Sequence, residues 1–362
     1  MIHTKYKEMV DNLSETKHGD VNDKVMIVDG LNMFIRCFGA VPTLNDDGNH
    51  VGGVTGFLLS LGALIRNNKP TRVFMVFDGK GGSTRRKKMY KGYKEGRTGM
   101  TKVNRLAGYE DLEDQRESMK NQFNTLMRYL DLLPIDVCFV DYVEADDIMA
   151  YAAKHVFKKE VLIVSSDKDF LQLVDDRISV WQPIKKKMMY KDDVQKLYGV
   201  PSKNLVYFRI FDGDKSDNIP GVKGVGPKTI LNKLPFLQED NMSMEKLFEN
   251  VEKLDDEKLK AKIMNSKDVL TLNYDLMQLK EPDMLSAAIT STVRSMIDSP
   301  IEGLNSFQFK KDFMVDKLYT AFKNIEVWLS NTWTELDTYS CLLYTSDAAD
   351  DLLCVDLGGR RI

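Results

Sequence analysis

The stretch Tyr142-Val143-Glu144-Ala145-Asp146-Asp147-Ile148-Met149-Ala150 sets three carboxylates within four positions, directly ahead of an apolar run that reads as a helix. Acids at that place favour a helix N-terminus through capping and the helix dipole, so alone the segment is a well-started helix. Its company changes the reading. Short strand-like apolar runs elsewhere also end in acids: 25–28 before Asp29, 73–77 before Asp78, and 161–164 just ahead of Asp167 and Asp169. A further pair, Asp214 and Asp217, lies in Gly213-Asp214-Lys215-Ser216-Asp217-Asn218. Nine acids at element ends, if they converge, repel one another strongly unless cations lie among them. The pattern therefore points to a divalent-metal site.

Working outward, strand and helix patterns alternate. Residues 24–28 read as a strand, 55–65 as a helix and 72–77 as a second strand. An amphipathic region follows over 113–130, and strand-like runs return at 137–140, 161–164 and 178–181. The first two strands are nearly continuous apolar runs, as strands buried on both faces should be. Such alternation implies an α/β fold with a mainly parallel, twisted sheet flanked by helices. Ligands of these sheets bind outside the carboxyl ends of the strands, near the point where strand order reverses. Asp29, Asp78, Asp167 and Asp169 all belong to that edge, so acids distant in sequence are expected to meet.

After Tyr190 the strand signals stop. Residues 192–198 read as a short helix ended by Gly199-Val200-Pro201. In Gly224-Val225-Gly226-Pro227-Lys228-Thr229, the glycines permit a tight hairpin and Pro227 suits the first turn of a helix. Its backbone N–H groups would form an anion site that Lys228 reinforces. Residues 240–330 read as mostly helical and supply no obvious chemistry.

The 362 residues are 43% hydrophobic and 29% charged, a globular composition with room for two domains. No apolar run approaches the roughly 20 residues that span a bilayer, and residues 1–6 lack a signal-peptide pattern, so a cytoplasmic location is expected. The cysteines Cys37, Cys138, Cys341 and Cys354 are scattered, which argues against a zinc site or a disulfide framework. His3, His18, His50 and His155 form no ligand cluster and read as surface or capping residues. Net charge is −3, but its distribution is uneven: Lys80, Arg85, Arg86, Lys87, Lys88, Lys91, Lys94 and Arg97 face the single acid Glu95 between 79 and 97. Taken alone this is a solvated charge run; beside an acidic cluster it reads as a phosphate-binding surface.

Five ordered motifs carry a resemblance: Val28-Asp29-Gly30-Leu31-Asn32, Phe77-Asp78-Gly79, Glu144-Ala145-Asp146-Asp147, Ser166-Asp167-Lys168-Asp169-Phe170, and Gly213-Asp214-Lys215-Ser216-Asp217-Asn218-Ile219-Pro220-Gly221-Val222. Over residues 22 to 235 the chain resembles the 5′-nuclease superfamily of flap endonucleases and 5′→3′ exonucleases, with a PIN-like core. Tyr93-Lys94-Glu95-Gly96-Arg97, Ser165-Ser166-Asp167 and Trp181-Gln182-Pro183 look closest to stand-alone phage replication nucleases of the ribonuclease H type. The resemblance implies two Mg²⁺ ions, with Mn²⁺ a substitute. It assigns Asp29, Asp78, Glu144 and Asp146 to the first, with Asp147 nearby, and Asp167, Asp169, Asp214 and Asp217 to the second.

The same resemblance implies a helical arch over 79–120 through which a 5′ single strand passes, with Lys94 and Arg97 on the scissile phosphate. It places Gly224, Gly226, Lys228 and Thr229 in a helix-hairpin-helix element gripping duplex backbone, with a possible K⁺ ion. The basic block Arg85-Arg86-Lys87-Lys88 is itself expected to meet DNA, by threading, clamping or simple steering. Expected substrates are RNA–DNA hybrid and branched or nicked duplex DNA. Expected partners are a polymerase or a single-strand-binding protein, and the chain is expected to act as a monomer.

The domain reading is an N-terminal arm (1–20), a catalytic domain (21–190), a helical DNA-binding region (191–340) and a tail (341–362). The tail resembles translated adapter read-through, with an ordinary frayed terminus as the alternative. Phe34 and Phe38 are read chiefly as core, with base stacking as the second option. A competing class is a catalytically silent DNA-binding module whose acids are caps; it predicts binding without magnesium-dependent cleavage. A haloacid-dehalogenase-like phosphatase is excluded, because Asp29 is followed by Gly30-Leu31 and lacks the Asp-x-Asp pair.

Overall fold

The computed structural model describes residues 19–95, 109, 111–239, 241–279 and 285–348, the last eight of these as backbone only. The arm, apart from 19 and 20, therefore lies outside the described residues. So do Arg97, most of the central part of the expected arch, and residues 349–362.

Strands β1 (Lys24–Asp29) and β2 (Arg72–Asp78) enclose helices α1 (Gly30–Ala40) and α2 (Gly52–Asn68). Short α3 (Thr84–Met89) and long α4 (Leu112–Leu130) lead to β3 (Asp136–Val140), and α5 (Ala145–Tyr151) leads to β4 (Glu160–Val164). Then come β5 (Ile178–Gln182) and β6 (Lys187–Met189). The sheet order is β3-β2-β1-β4-β5-β6, parallel except for the β5–β6 pair. Strand order reverses between β1 and β4, so the crevice at their carboxyl ends is the switch point of the fold.

Alternation within each strand divides the core. Val25, Ile27, Phe74 and Val76 face one side, while Met26, Val28, Val73, Met75 and Phe77 face the other. The first side is covered by α5 and by helices from the C-terminal half, among them α6 (Lys191–Tyr198), α7 (Leu205–Asp212), α8 (Pro227–Lys233), α9 (Met244–Glu252), α10 (Glu257–Asn265), α11 (Lys267–Met277) and α12 (Ala287–Asp298). The chain then returns to the second side, where α13 (Ser306–Val315) and α14 (Ile325–Ala348) bring Phe309, Phe313, Trp328 and Trp333 against α1, α2 and α4. Buried Arg72 joins the layers: its guanidinium donates to both carboxylate oxygens of Asp136, at 2.6 and 3.0 Å, and to the Ile297 carbonyl. Among the described residues no helix is long and apolar enough to cross a membrane.

The structure bears out the core reading of two aromatic residues and corrects the reading of one histidine. Phe34 and Phe38 are fully packed against each other and against Phe123 and His50, so neither offers a ring to a base. His50 is buried rather than a surface or capping residue. Its Nε2 lies 2.7 Å from the Val41 carbonyl and its Nδ1 lies 2.6 Å from the Tyr109 hydroxyl and 3.1 Å from Gln122 Nε2. The carbonyl demands a proton on Nε2, leaving Nδ1 as the acceptor.

Burial lowers the His50 pKa, against the pull of the Val41 carbonyl. Because the folded value lies below the unfolded one, the neutral ring contributes stability above pH about 6.5 that is lost as pH falls below it. Thermal melts are expected to lose stability from pH 6.5 to 5, and His50→Gln is expected to flatten that dependence. An unchanged slope in the variant would remove His50 from the acid response.

Candidate metal and nucleic-acid site

Register carries the acids to one edge. Asp29 ends β1 and caps α1, its Oδ1 accepting the Asn32 N–H at 3.0 Å. Val28 pairs with Val164, so the next residues, Asp29 and Ser165, are level, and Ser165 Oγ donates to Asp29 Oδ2 at 3.1 Å. The same hydroxyl accepts the Asp167 N–H at 3.1 Å, and Asp167 Oδ1 accepts the Asp169 N–H at 2.8 Å. Asp78 ends β2, and its Oδ1 accepts the Ala145 N–H at 2.7 Å, which fastens the start of α5 to the sheet edge. Only glycine fits after Asp78, since a Cβ on Gly79 would lie 2.1 Å from the Val140 carbonyl oxygen. Glu144 is the N-cap of α5, and Asp146 and Asp147 fill its first turn.

The electrostatics confirm that these side chains converge. Burial raises the Asp29 carboxyl to about 6, and the charges of Asp78 and Asp167 push the same way. Asp146 is held well above the ordinary carboxylate range by burial and then by Asp167, Asp29 and Glu144. Asp169 is raised to about 8, chiefly by burial; Arg209 opposes the shift and Asp167, Asp214 and Asp217 reinforce it. Eight of the nine acids thus fall within one interacting group, and Asp147 is tied to it through Arg86.

Three cations of the chain lie among them. Arg86 is 3% exposed and pairs with Glu144, also 3% exposed, and with both oxygens of Asp147 at 2.8 Å. Lys94 Nζ donates to Glu144 Oε1, and the buried Tyr93 hydroxyl reaches Glu144 and Asp217. Burial alone would raise the Glu144 carboxyl, but Arg86 and Lys94 hold it below its usual value. Arg209 bridges Asp169 at 3.1 Å and Asp214 at 2.6 Å. Burial would raise Asp214 too, yet Ser216 and Arg209 keep it low.

These pairs correct two expectations. Arg86 is not available to DNA: it is an internal counter-ion of the acidic edge. Nor do divalent cations alone relieve the repulsion, because guanidinium and ammonium groups already neutralise part of it. Consistently, among the described residues no three His, Cys, Asp or Glu side chains are closed into a ready-made metal cage. Arg85 is half-buried and lies 3.5 Å from Asp147, whereas Lys87 and Lys88 are exposed.

The donor set nevertheless fits a hard divalent cation. Every candidate ligand is a carboxylate oxygen, the chemistry Mg²⁺ and Mn²⁺ take. Asp29, Asp146 and Asp169 are raised first by burial, and the charge of Asp167 pushes each of them further the same way. A cleft of about 470 Å³ lined by Ser166, Asp167, Arg209 and Asp214 opens beside them.

The hairpin residues stand apart from this centre in the chain order. Gly224 has φ +77°, Gly226 is the N-cap of α8 and Pro227 its first residue; Lys228 is exposed and Thr229 half-buried. The left-handed backbone at Gly224 is the turn that the sequence demanded.

Arg209 was missed by sequence reasoning. Its signal was present: it is the lone cation in the apolar run Leu205-Val206-Tyr207-Phe208-Arg209-Ile210-Phe211, five residues before Asp214. A buried charge in such a run requires a partner.

Residues 24–199 match the family profile of the 5′-3′ exonuclease N-terminal, resolvase-like domain, and residues 200–299 match that of the C-terminal SAM fold. A 5′-3′ exonuclease of Aquifex aeolicus is 33% identical over 256 residues, which span 70% of this chain and 80% of that protein. DNA polymerase I of Bacillus subtilis is 30% identical across 83% of this chain, and the match spans 31% of the polymerase. Among solved structures, a bacteriophage T5 flap endonuclease complexed with DNA and metal ions shares the fold. It has a TM-score of 0.57 at 19% identity, covering 82% of this chain and 99% of that one. The T5 5′-exonuclease with bound divalent zinc aligns with a TM-score of 0.56 at 19% identity, over 82% of this chain and 99% of that one. On the two profile matches and the Aquifex relative, the chain belongs to the 5′-3′ exonuclease family.

Proposed function

We propose that this chain is a Mg²⁺-dependent, structure-specific 5′ nuclease that removes RNA primers and 5′ flaps in phage-type DNA replication. The observation that carries the reading is the convergence of acids from β1, β2, α5, the loop after β4 and the loop after α7 on one sheet edge. Asp29, Asp78, Glu144 and Asp146 would hold one cation, with Asp147 behind them. Asp167, Asp169, Asp214 and Asp217 would hold the second. When bound, two such cations supply an activated water and stabilise the leaving oxygen of an in-line displacement.

The chain's own residues do the rest. Lys94 exchanges its ion pair with Glu144 for the scissile phosphate, where it offsets charge building on the non-bridging oxygens. Water forms the new P–O bond, the P–O3′ bond breaks, and the proton ends on the departing 3′ oxygen, leaving a 5′-phosphate and a 3′-hydroxyl. Arg97, outside the described residues, would assist Lys94. Exposed Lys87 and Lys88, with Arg85 at the rim, steer the phosphate backbone.

Residues 21–190 would form the catalytic domain and 191–340 the duplex-binding region. There Gly224, Gly226, Lys228 and Thr229 would grip phosphates, and the hairpin would hold a K⁺ ion. The grip is blind to sequence, because phosphate contacts position without specifying. Lys228→Ala is expected to weaken all duplex substrates alike and to lower the slope of log affinity against log salt by about 1. A sequence-selective loss in filter-binding or anisotropy titrations would contradict that role.

The test of the function is a panel of end-labelled substrates (5′ flap, nick, overhang and RNA–DNA hybrid) incubated with Mg²⁺ or Mn²⁺. Cleavage of the flap and the hybrid is expected. Tight binding to the duplexes without cleavage in either metal would replace the proposal with the silent-module reading.

A further inference from the structure

Two loops far apart in sequence are cross-braced above the acidic edge. One runs from Gly92 to Glu95, after α3; the other closes between Asp214 and Ile219, which bridge each other through hydrogen bonds of 2.9 and 2.8 Å. The Asn218 side-chain amide donates to the Gly92 carbonyl at 2.8 Å, and the Lys94 N–H donates to the Asp217 carbonyl at 2.9 Å. Both Lys94 and Asn218 have left-handed backbone, with φ of 56° and 57°. Asparagine tolerates that conformation more readily than lysine does. At Lys94 the two hydrogen bonds just named add to the Glu95 N–H bond to the Gly92 carbonyl at 3.0 Å and to the Nζ pair with Glu144.

We propose that Asn218 is a positioning residue for Lys94: its amide pins the Gly92–Lys94 turn to the loop bearing Asp214 and Asp217, aiming the lysine at the carboxylate centre. Resting on the reading of Lys94 given above, the inference adds a link from that lysine to the loop that continues into the hairpin at 224–229. Tyr93 gains from the same brace, since its hydroxyl lies between Glu144 and Asp217. Without the Asn218 amide the turn keeps one backbone bond to the neighbouring loop, and the ammonium samples positions off the scissile phosphate. Misplacement by about 1 Å costs up to about 100-fold in rate.

The test is a double-mutant cycle in steady-state flap cleavage with Mg²⁺. Asn218→Gly keeps the left-handed backbone and deletes the amide; Asn218→Asp keeps the size and replaces the donor with an acceptor. Each is expected to lower kcat about 10-fold with KM changed less than about 2-fold and with an unaltered melting temperature. On a Lys94→Ala background, the same two substitutions are expected to change kcat by less than about 2-fold. An equal loss on both backgrounds, or full activity of both single variants, would overturn the role of Asn218 while leaving Lys94 in place. A Lys94→Ala enzyme as fast as the parent would overturn the reading of Lys94 and the inference with it.

Discussion

Asp146→Asn is expected to bind a flapped duplex as the parent does, within about 3-fold, and to cleave it more than about 100-fold more slowly in Mg²⁺. Asp146 lies in the first turn of α5, within reach of the charges of Asp167, Asp29 and Glu144. It therefore feels carboxylates from both halves of the proposed ligand set. Asparagine has the same shape but no charge, so it cannot balance a divalent cation there, whereas the duplex contacts proposed for the exposed lysines are untouched. The substitution also removes a carboxylate that its neighbours repel. In the absence of divalent cations the variant should melt at or above the parent's temperature, so the lost activity cannot be laid to unfolding. Turnover within 10-fold of the parent would take Asp146 out of the mechanism.

Arg86→Ala should act in the opposite way, by unfolding. Its guanidinium is the buried partner of both Glu144 and Asp147, and its Nε also donates to the Leu276 carbonyl at 2.9 Å, joining α3 to α11. Removing one side of such a pair leaves uncompensated buried charge and costs about 3–5 kcal/mol. At roughly 2–4 °C per kcal/mol, a drop near 10 °C in melting temperature is expected. Arg86→Ala combined with Asp147→Ala should recover part of it, because one stranded charge is then gone. By contrast, Lys87→Ala and Lys88→Ala should leave the melt unchanged and weaken DNA binding in low salt. A stable Arg86→Ala protein with a pure binding defect would restore the DNA-contact role expected from sequence.

That contrast marks where the sequence stopped being legible. In Arg85-Arg86-Lys87-Lys88 four cations follow one another, and nothing in composition tells which of them turns inward on a six-residue helix. The choice is made by Glu144 and Asp147, 58 and 61 residues away. Strands β1, β2 and β4 were readable because parallel strands covered on both faces are nearly continuous apolar runs, and β3 and β5 from shorter apolar stretches. β6 was not, since Lys187-Met188-Met189 is three residues long and begins with a charge. The strand-end part of the acidic edge was readable for the same reason: Asp29, Asp78, Asp167 and Asp169 follow apolar runs, and parallel register carries those ends to one side. What no run of letters disclosed was how far lysine and arginine neutralise that edge from within. The division of the C-terminal helices between the two faces was equally hidden, because an amphipathic helix announces an apolar stripe without naming the surface it will cover.

The most direct measurement of the central claim is cleavage of a 5′-labelled flap by the full chain, first with excess chelator and then with Mg²⁺ restored. Hydrolysis should be absent with chelator, return on adding Mg²⁺, and yield a 5′-phosphate and a 3′-hydroxyl. Undiminished cleavage in chelator would contradict the claim that this carboxylate edge works through divalent cations.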